Sequence, residues 1–486
     1  MMRIVTGRQL LLSLACLTGF ISAGGQKQSD SLLSYMEIAA RNNPVVMQKF
    51  NEYQAALQKV PQAGALPDPE LDAGVFIRPM ELVSGKQVAD IRLMQMFPWF
   101  GTLKNARDET SLMARSRYES FRDARLQLFY DMQRTWYELY RIRQNIRITN
   151  ENIGLLQTIE RLSIIKFKTA STGSGGSSPE GSIMPGAGAP DSNPAATGMQ
   201  GMGINQGNSL SANTFSSQPP VQGNPMESQT NAPGLPDIYR IQIEISDLAN
   251  DLALLENKER TIISRFNSFL DREPGSAVSV PDTLVPDSLP VMITAVSDSM
   301  LANNPMLAML QYEKLSLEAR GKMIDRLGYP MTGLGLDYMV INRSEMSASP
   351  MNGKDMIMPM VSITIPVYRK KFKAMRSEAD YLQIAAEQNY EATTRALQTE
   401  YFEAMQLFQD AGRRRKLYQD QYRLAEQSYR VILKNYTVSG SGLADILQVR
   451  RQLLDYRYKQ VEALVDYNTA IAWFKRLMAA SAIYGI

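Results

Sequence analysis

The sequence predicts a mixed α+β membrane protein that is internally duplicated, with long antiparallel α-helical coiled-coil hairpins and two β-hairpins per chain. Three observations lead there: motifs that return at fixed displacements, long proline-free stretches with heptad seams, and short segments that alternate apolar and polar residues. Asn42-Asn43-Pro44 returns as Asn303-Asn304-Pro305, Pro69 as Pro330 and Gly74 as Gly335, each 261 residues later. Pro98 returns as Pro366, and Lys166-x-x-Thr169 as Lys434-x-x-Thr437, both 268 residues later. The displacement then falls to 208 for Gly234-Leu235-x-Asp237-Ile238 against Gly442-Leu443-x-Asp445-Ile446, so 60 additional residues sit in the first copy. A unit used twice supplies matching parts of one symmetric object.

The chain begins with Arg3 and Arg8, an apolar run from Leu10 to Ile21, and Ser22-Ala23-Gly24-Gly25 before polar sequence. This is the pattern of a secretory signal peptide over 1–25. Cys16 either leaves with that signal or is an acylated lipoprotein cysteine, for which Ser13-Leu14-Ala15 is a poor lead. No later stretch offers the ~20 apolar residues of a membrane helix.

The first copy, 26–170, opens with a helical pattern over 31–60 that proline interrupts at Asn43-Pro44. Pro67-Asp68-Pro69 ends it. Segments 71–79 and 89–97 flank a polar Ser84-Gly85-Lys86 turn and read as a β-hairpin. Over 101–169 there is no proline, and Leu128, Met132, Thr135, Leu139, Ile142, Ile146, Thr149, Ile153 and Leu156 recur at alternating spacings of four and three. That is a heptad seam; at 1.5 Å per residue such a helix reaches roughly 100 Å.

The stretch 171–234 is dominated by Gly, Ser, Pro, Asn, Gln and Thr, and is expected to be disordered because it buries too little apolar surface to offset its ordering entropy. A returning helix and linker occupy 235–289. The second copy, 290–486, repeats the plan with clearer strands: Leu334, Leu336, Tyr338, Val340 and Val361, Ile363, Ile365, Val367 are apolar, while Gly335, Asp337, Ser362 and Thr364 lie between them. Period two gives each strand one apolar and one polar face. Its long helix carries a more aromatic seam at Phe408, Ala411, Arg415, Tyr418, Tyr422, Ala425, Tyr429, Ile432 and Tyr436.

Composition narrows the function. The chain has no histidine, one cysteine and a net charge of +3 with the charges interspersed. The commonest general base, thiolate metal clusters and a nucleic-acid footprint are therefore missing. No enzyme activity and no cofactor are expected.

Four amphipathic strands cannot close a barrel, because even the smallest outer-membrane barrels need about eight. Three chains supply about twelve, and closure removes the exposed edges. Apolar faces outward and polar faces inward make a water-filled lumen in lipid. Trp99, Phe100 and Tyr368 follow the second strand of each pair, where an interfacial aromatic girdle belongs; ordinary packing is the plainer account of each taken singly.

The Asn-Pro helix starts, the Pro-Asp-Pro lead, the exit Gln95-Met96-Phe97-Pro98-Trp99-Phe100-Gly101 and the turn Tyr436-x8-Asp445-Ile446-Leu447 together resemble the TolC family of outer-membrane efflux channels. The wording is closest to its heavy-metal-efflux branch. The resemblance runs over nearly the whole chain after the signal. It implies an outer-membrane homotrimer: a twelve-stranded β-barrel standing on a periplasmic α-helical barrel. It also implies docking to a periplasmic adaptor (membrane fusion protein) and an inner-membrane pump of the resistance-nodulation-division type.

By the same resemblance, Tyr436 and Asp237 would bond to hold a periplasmic gate shut, and Asp445, repeated around the axis, would form an acidic ring favouring cations. Ser441 stands where the family often has a gating arginine, and Gln448 where it often has a second ring aspartate. Asp237 and Asp445 also suit helix N-termini, a role compatible with the first.

Met331, Met339, Met346, Met351, Met356, Met358 and Met360 crowd the second hairpin, with Met80, Met94 and Met96 in the first. Thioethers suit Cu(I) or Ag(I), and Met346, Met351, Met356 and Met358 are the soft-metal candidates. Methionine replacing leucine in a methionine-rich chain is the plainer account. A duct for type I protein secretion shares the expected fold, and a non-channel coiled-coil envelope scaffold would share the heptads alone.

Overall fold

The computed structural model describes residues 32–173, 235–289, 293–439 and 442–479. The signal segment 1–25, Cys16, Ser441 and nearly all of the 171–234 stretch lie outside the described residues.

Each copy starts with a helix pair split by Asn-Pro. In the first, α1 (Leu32–Asn42) precedes α2 (Pro44–Ala63), and in the second α5 (Ile293–Asn303) precedes α6 (Pro305–Leu327). Asn43 and Asn304 adopt extended backbone and cap the second helix of each pair. Asn43 Oδ1 accepts from Val45 N at 3.0 Å and Val46 N at 3.3 Å; Asn304 Oδ1 accepts from Met306 N at 2.9 Å. Proline sits at the first helical position, where its missing N–H costs nothing.

Strands β1 (Glu70–Leu82), β2 (Gly85–Phe97), β3 (Met331–Asn342) and β4 (Met356–Thr364) follow the helix pairs. The two hairpins are not separate: β2 pairs antiparallel with β3, giving one four-stranded sheet in the order β1-β2-β3-β4. The strands also depart from the expected limits. β1 runs on to Leu82 through an irregular register between Val75 and Met80. β4 lies earlier than expected, leaving Ile365 and Val367 beyond its end. Its last pair is Met331↔Thr364; Pro330 and Pro366 flank that pair, and neither has an N–H to extend the ladder.

Two long helices, α3 (Thr102–Gly173) and α7 (Arg369–Ser439), are followed by α4 (Leu235–Phe269) and α8 (Leu443–Leu477). The α3 seam is covered as the heptads predict: Met132, Leu139, Ile142, Thr149 and Leu156 are buried. The α7 seam is mostly half-buried, with only Ala411 and Tyr436 fully covered. Among the described residues no helix is long and apolar enough to cross a membrane.

The chain divides into two compact units that cut across the repeat. The larger comprises residues up to Asn152, Leu248–Glu426 and those from Gln452 on; the smaller comprises Ile153–Asp247 and Gln427–Arg451. Each draws helices from both copies, because helices of both copies pack together within each unit.

Within the larger unit, Tyr35, Met132, Leu139, Phe266 and Leu270 centre one core, and Val296, Met300, Ala404, Phe474 and Leu477 a second. The linker between the copies is strapped down by side chains. Trp136 Nε1 donates to Ser279 O at 3.2 Å, Gln144 Nε2 to Asp282 O at 2.7 Å, and Asn468 Nδ2 to Val285 O at 3.1 Å. Asp287 N donates back to Asn468 Oδ1 at 2.9 Å. Sequence reading missed this strap, which has neither helical nor strand periodicity.

Candidate functional site

The sheet, in the larger unit, has two unlike faces. Cross-strand partners share a face, so the register places Leu71, Leu93, Leu336 and Pro359 in one row, and Ala73, Ile91, Tyr338 and Ile357 in the next. This apolar face is open: Val361 is 73% and Ile363 61% exposed. The opposite face carries Asp72, Arg92, Asp337 and Met358 in one row, and Glu70, Met94, Gly335 and Met360 in the row beside it. Arg92 reaches Asp337 Oδ2 at 3.5 Å. β1 and β4 each pair on one side only within the sheet, leaving two edges.

The expected aromatic residues stand where the strands give way to helices. Phe100 is 88% and Tyr368 81% exposed. Trp99 is half-buried and stacks on Tyr329, with ring centroids 5.3 Å apart and planes 14° apart. Tyr329, which the sequence reading did not single out, precedes Pro330 at the start of β3. Phe97, Pro98, Trp99, Leu66 and Leu334 line an apolar cavity of about 510 Å³ here.

The four methionine candidates divide. Met356 and Met358, two residues apart on β4, share the polar face, whereas Met346 and Met351 belong to the β3–β4 loop and are exposed. That loop is pinned by Asn352, whose Nδ2 donates to Ser344 O at 2.8 Å and Ser347 O at 3.0 Å. Gly353 N donates to Ser84 O at 3.0 Å, tying the loop to the β1–β2 turn. Gly353 has φ +80°, and a Cβ there would press on the Arg343 side chain.

The smaller unit holds the other three candidates. Tyr436 is 3% exposed, near the end of α7. Its hydroxyl lies 3.3 Å from Ser163 Oγ on α3, and Lys166 Nζ donates to its carbonyl at 3.0 Å and lies 4.1 Å from its ring centroid. Ser163 and Lys166 both lie on α3. Asp237, in the first turn of α4, meets Arg240 at 3.4 Å.

Asp445 is exposed in the first turn of α8. Its carboxylate lies against Gly442, which takes φ +95° just before the helix. A second tie joins α4 to α8: Arg451 Nε donates to Glu244 Oε2 at 2.7 Å, and its Nη2 bonds the same oxygen. Glu244 raises the Arg451 pKa further above its ordinary value through that bond. Gln242 Nε2 to Glu160 Oε1 at 2.8 Å joins α4 to α3, and Arg450 lies 5.2 Å from the Tyr429 ring centroid, α8 on α7. The Glu244–Arg451 pair was not foreseen; its only signal was one acid and one base on helices with no shared motif.

Among the described residues no group of three His, Cys, Asp or Glu side chains could hold a metal ion. The site offers thioether, hydroxyl and carboxylate groups on a sheet face, and hydrogen bonds that bind two helical hairpins to each other.

No family description matches the chain, and no curated protein sequence matches it. Solved structures do. The outer membrane protein VceC of Vibrio cholerae superposes with a TM-score of 0.66 at 12% identity, covering 92% of this chain and 95% of that one. The CmeC outer membrane channel of Campylobacter jejuni gives 0.66 at 12%, covering 92% and 85%. The MtrE outer membrane channel of Neisseria gonorrhoeae, in its open state, gives 0.62 at 13%, covering 93% and 89%. Over more than nine-tenths of its length, this chain has the fold of those outer-membrane proteins.

Proposed function

We propose that three copies of this chain form the outer-membrane exit duct of a tripartite efflux system. The duct conducts passively, an adaptor docks on its periplasmic part, and an inner-membrane pump of the resistance-nodulation-division type supplies the energy. One observation carries this reading: a four-stranded sheet with two open edges, an exposed apolar face and a charged opposite face. In water such a sheet is an aggregation hazard. Closed by two further copies in lipid, the apolar face meets hydrocarbon and the charged face lines a lumen. A coiled-coil scaffold has no use for that sheet.

In the same reading, the hydrogen-bonded cluster around Tyr436, with Asp237 and Asp445 at the adjacent helix starts, is the periplasmic gate. Trp99, Phe100 and Tyr368 lie at the membrane interface. Metal ions are the cargo that the sulfur-bearing polar face favours over peptides.

Cysteine pairs placed on β1 and β4 test the arrangement, since Cys16 is the chain's only cysteine. Oxidation is expected to yield covalent trimers that conduct ions in planar bilayers. Monomers without conductance would refute the duct.

A further inference from the structure

Two sulfurs and a hydroxyl meet over a floor of glycine on the polar face of the sheet. Met94 and Met96 are two residues apart on β2 and so share that face. Across the ladder stand Gly335 and Gly333, and beyond them on β4 stand Met360 and Ser362. Ser362 Oγ lies 3.8 Å from Met94 Sδ and 3.6 Å from Met96 Sδ, so one hydroxyl reaches both sulfurs. A Cβ on Gly333 would come 2.6 Å from Met96 Sδ and 3.3 Å from Met94 Sδ; one on Gly335 would come 3.0 Å from Met94 Sδ. The absent side chains are what let both thioethers fold onto the sheet.

The next row on this face holds Asp337, which is 1% exposed. Arg92 meets its Oδ2, but its buried Oδ1 has no hydrogen-bond partner. A buried carboxylate oxygen without a partner is costly to keep out of water, and a second cation beside it would offset that cost. Neutral thioethers select soft monovalent ions, and they do so without proton release.

We propose that Met94, Met96 and Ser362, with Met360 in the same row as Met94, form a binding site for Cu(I) or Ag(I), toward which the unpartnered Oδ1 of Asp337 in the next row draws the cation. Its position on a lumen wall rests on the duct reading; its chemistry does not. Weak neutral ligands make it a place where a passing ion pauses, not a resident metal centre.

The mature trimer in detergent is titrated with Cu(I) against a chromogenic Cu(I) chelator, beside the Met94→Leu/Met96→Leu variant. The wild type is expected to take about one ion per chain with sulfur ligation in its X-ray absorption spectrum, and the variant to bind at least about tenfold more weakly. Ser362→Ala, which keeps both thioethers, is expected to weaken binding less. Equal Cu(I) binding by wild type and double variant, or a loss produced instead by Met346→Leu/Met351→Leu, overturns the site. Metal-free conductance in planar bilayers reads the duct separately. If both proteins conduct and bind Cu(I) alike, the site falls and the duct stands; if neither conducts while the variant loses Cu(I), the duct falls and the site stands.

Discussion

Asn43 Nδ2 donates to the carbonyl of Phe269 at 3.0 Å, and Asn304 Nδ2 donates to that of Leu477 at 3.4 Å. Phe269 and Leu477 are the last residues of α4 and α8. In each copy one asparagine therefore caps the start of a helix with its oxygen and the end of the returning helix with its nitrogen. Two residues beyond each of those ends, Asp271 and Ala479 take φ 53° and 50°. The duplication is thus one of mechanical joints as well as of motifs.

Removing the joint is expected to be costly. Asn43→Ala loses a cap that serves two backbone N–H groups and leaves a part-buried carbonyl without its donor, about 2 kcal/mol in all. Asn304→Ala, with one capped N–H and the longer bond, is expected to lose less. Denaturant midpoints of the two variants in detergent check the order; equal losses would contradict it.

The apolar sheet face separates a lipid-exposed wall from an ordinary protein surface. Val361→Lys is expected to cost about 2–4 kcal/mol of folding into a bilayer, against at most about 0.5 kcal/mol for a surface residue in water. Asp72→Lys, on the opposite face, is expected to be tolerated. Folding yields into lipid vesicles report the difference.

At the proposed gate, Lys166→Met removes both the bond to the Tyr436 carbonyl and the cation lying over its ring, the latter worth about 0.5–2 kcal/mol. Tyr436→Phe removes only the hydroxyl contact with Ser163. Single-channel conductance is expected to rise in both, and more in Lys166→Met. Conductance unchanged in both would show that this cluster does not hold the gate.

Stability should also depend on pH through Asp123. Burial pushes its pKa above the ordinary aspartate value, opposed by Arg476 and reinforced by Glu400. Below that ordinary value the carboxyl is protonated both folded and unfolded, and it has no effect. As pH rises the unfolded chain ionises first, and stability falls until the folded pKa is passed. Asp123→Asn is therefore expected to raise the melting temperature near pH 7, with the gain vanishing below about pH 4. A gain that persists in acid would point to packing instead.

The sequence by itself determined the local elements and the duplication. Asn-Pro dictates a cap and a helix start wherever it occurs, heptads select which face of α3 is covered, and period-two alternation from Leu334 to Val340 assigns each residue to a face. These are short-range effects, decided within a turn or a strand. Only the tertiary structure decided that β2 joins β3, since Arg92 opposite Asp337 spans 245 residues with no local signal. The same holds for Met94 and Met96 gathering at Ser362, for Ser163 and Lys166 meeting Tyr436, and for the linker strapped to Asn468. Such partners are chosen by register and by which helix lies alongside, and both follow from packing the two copies together.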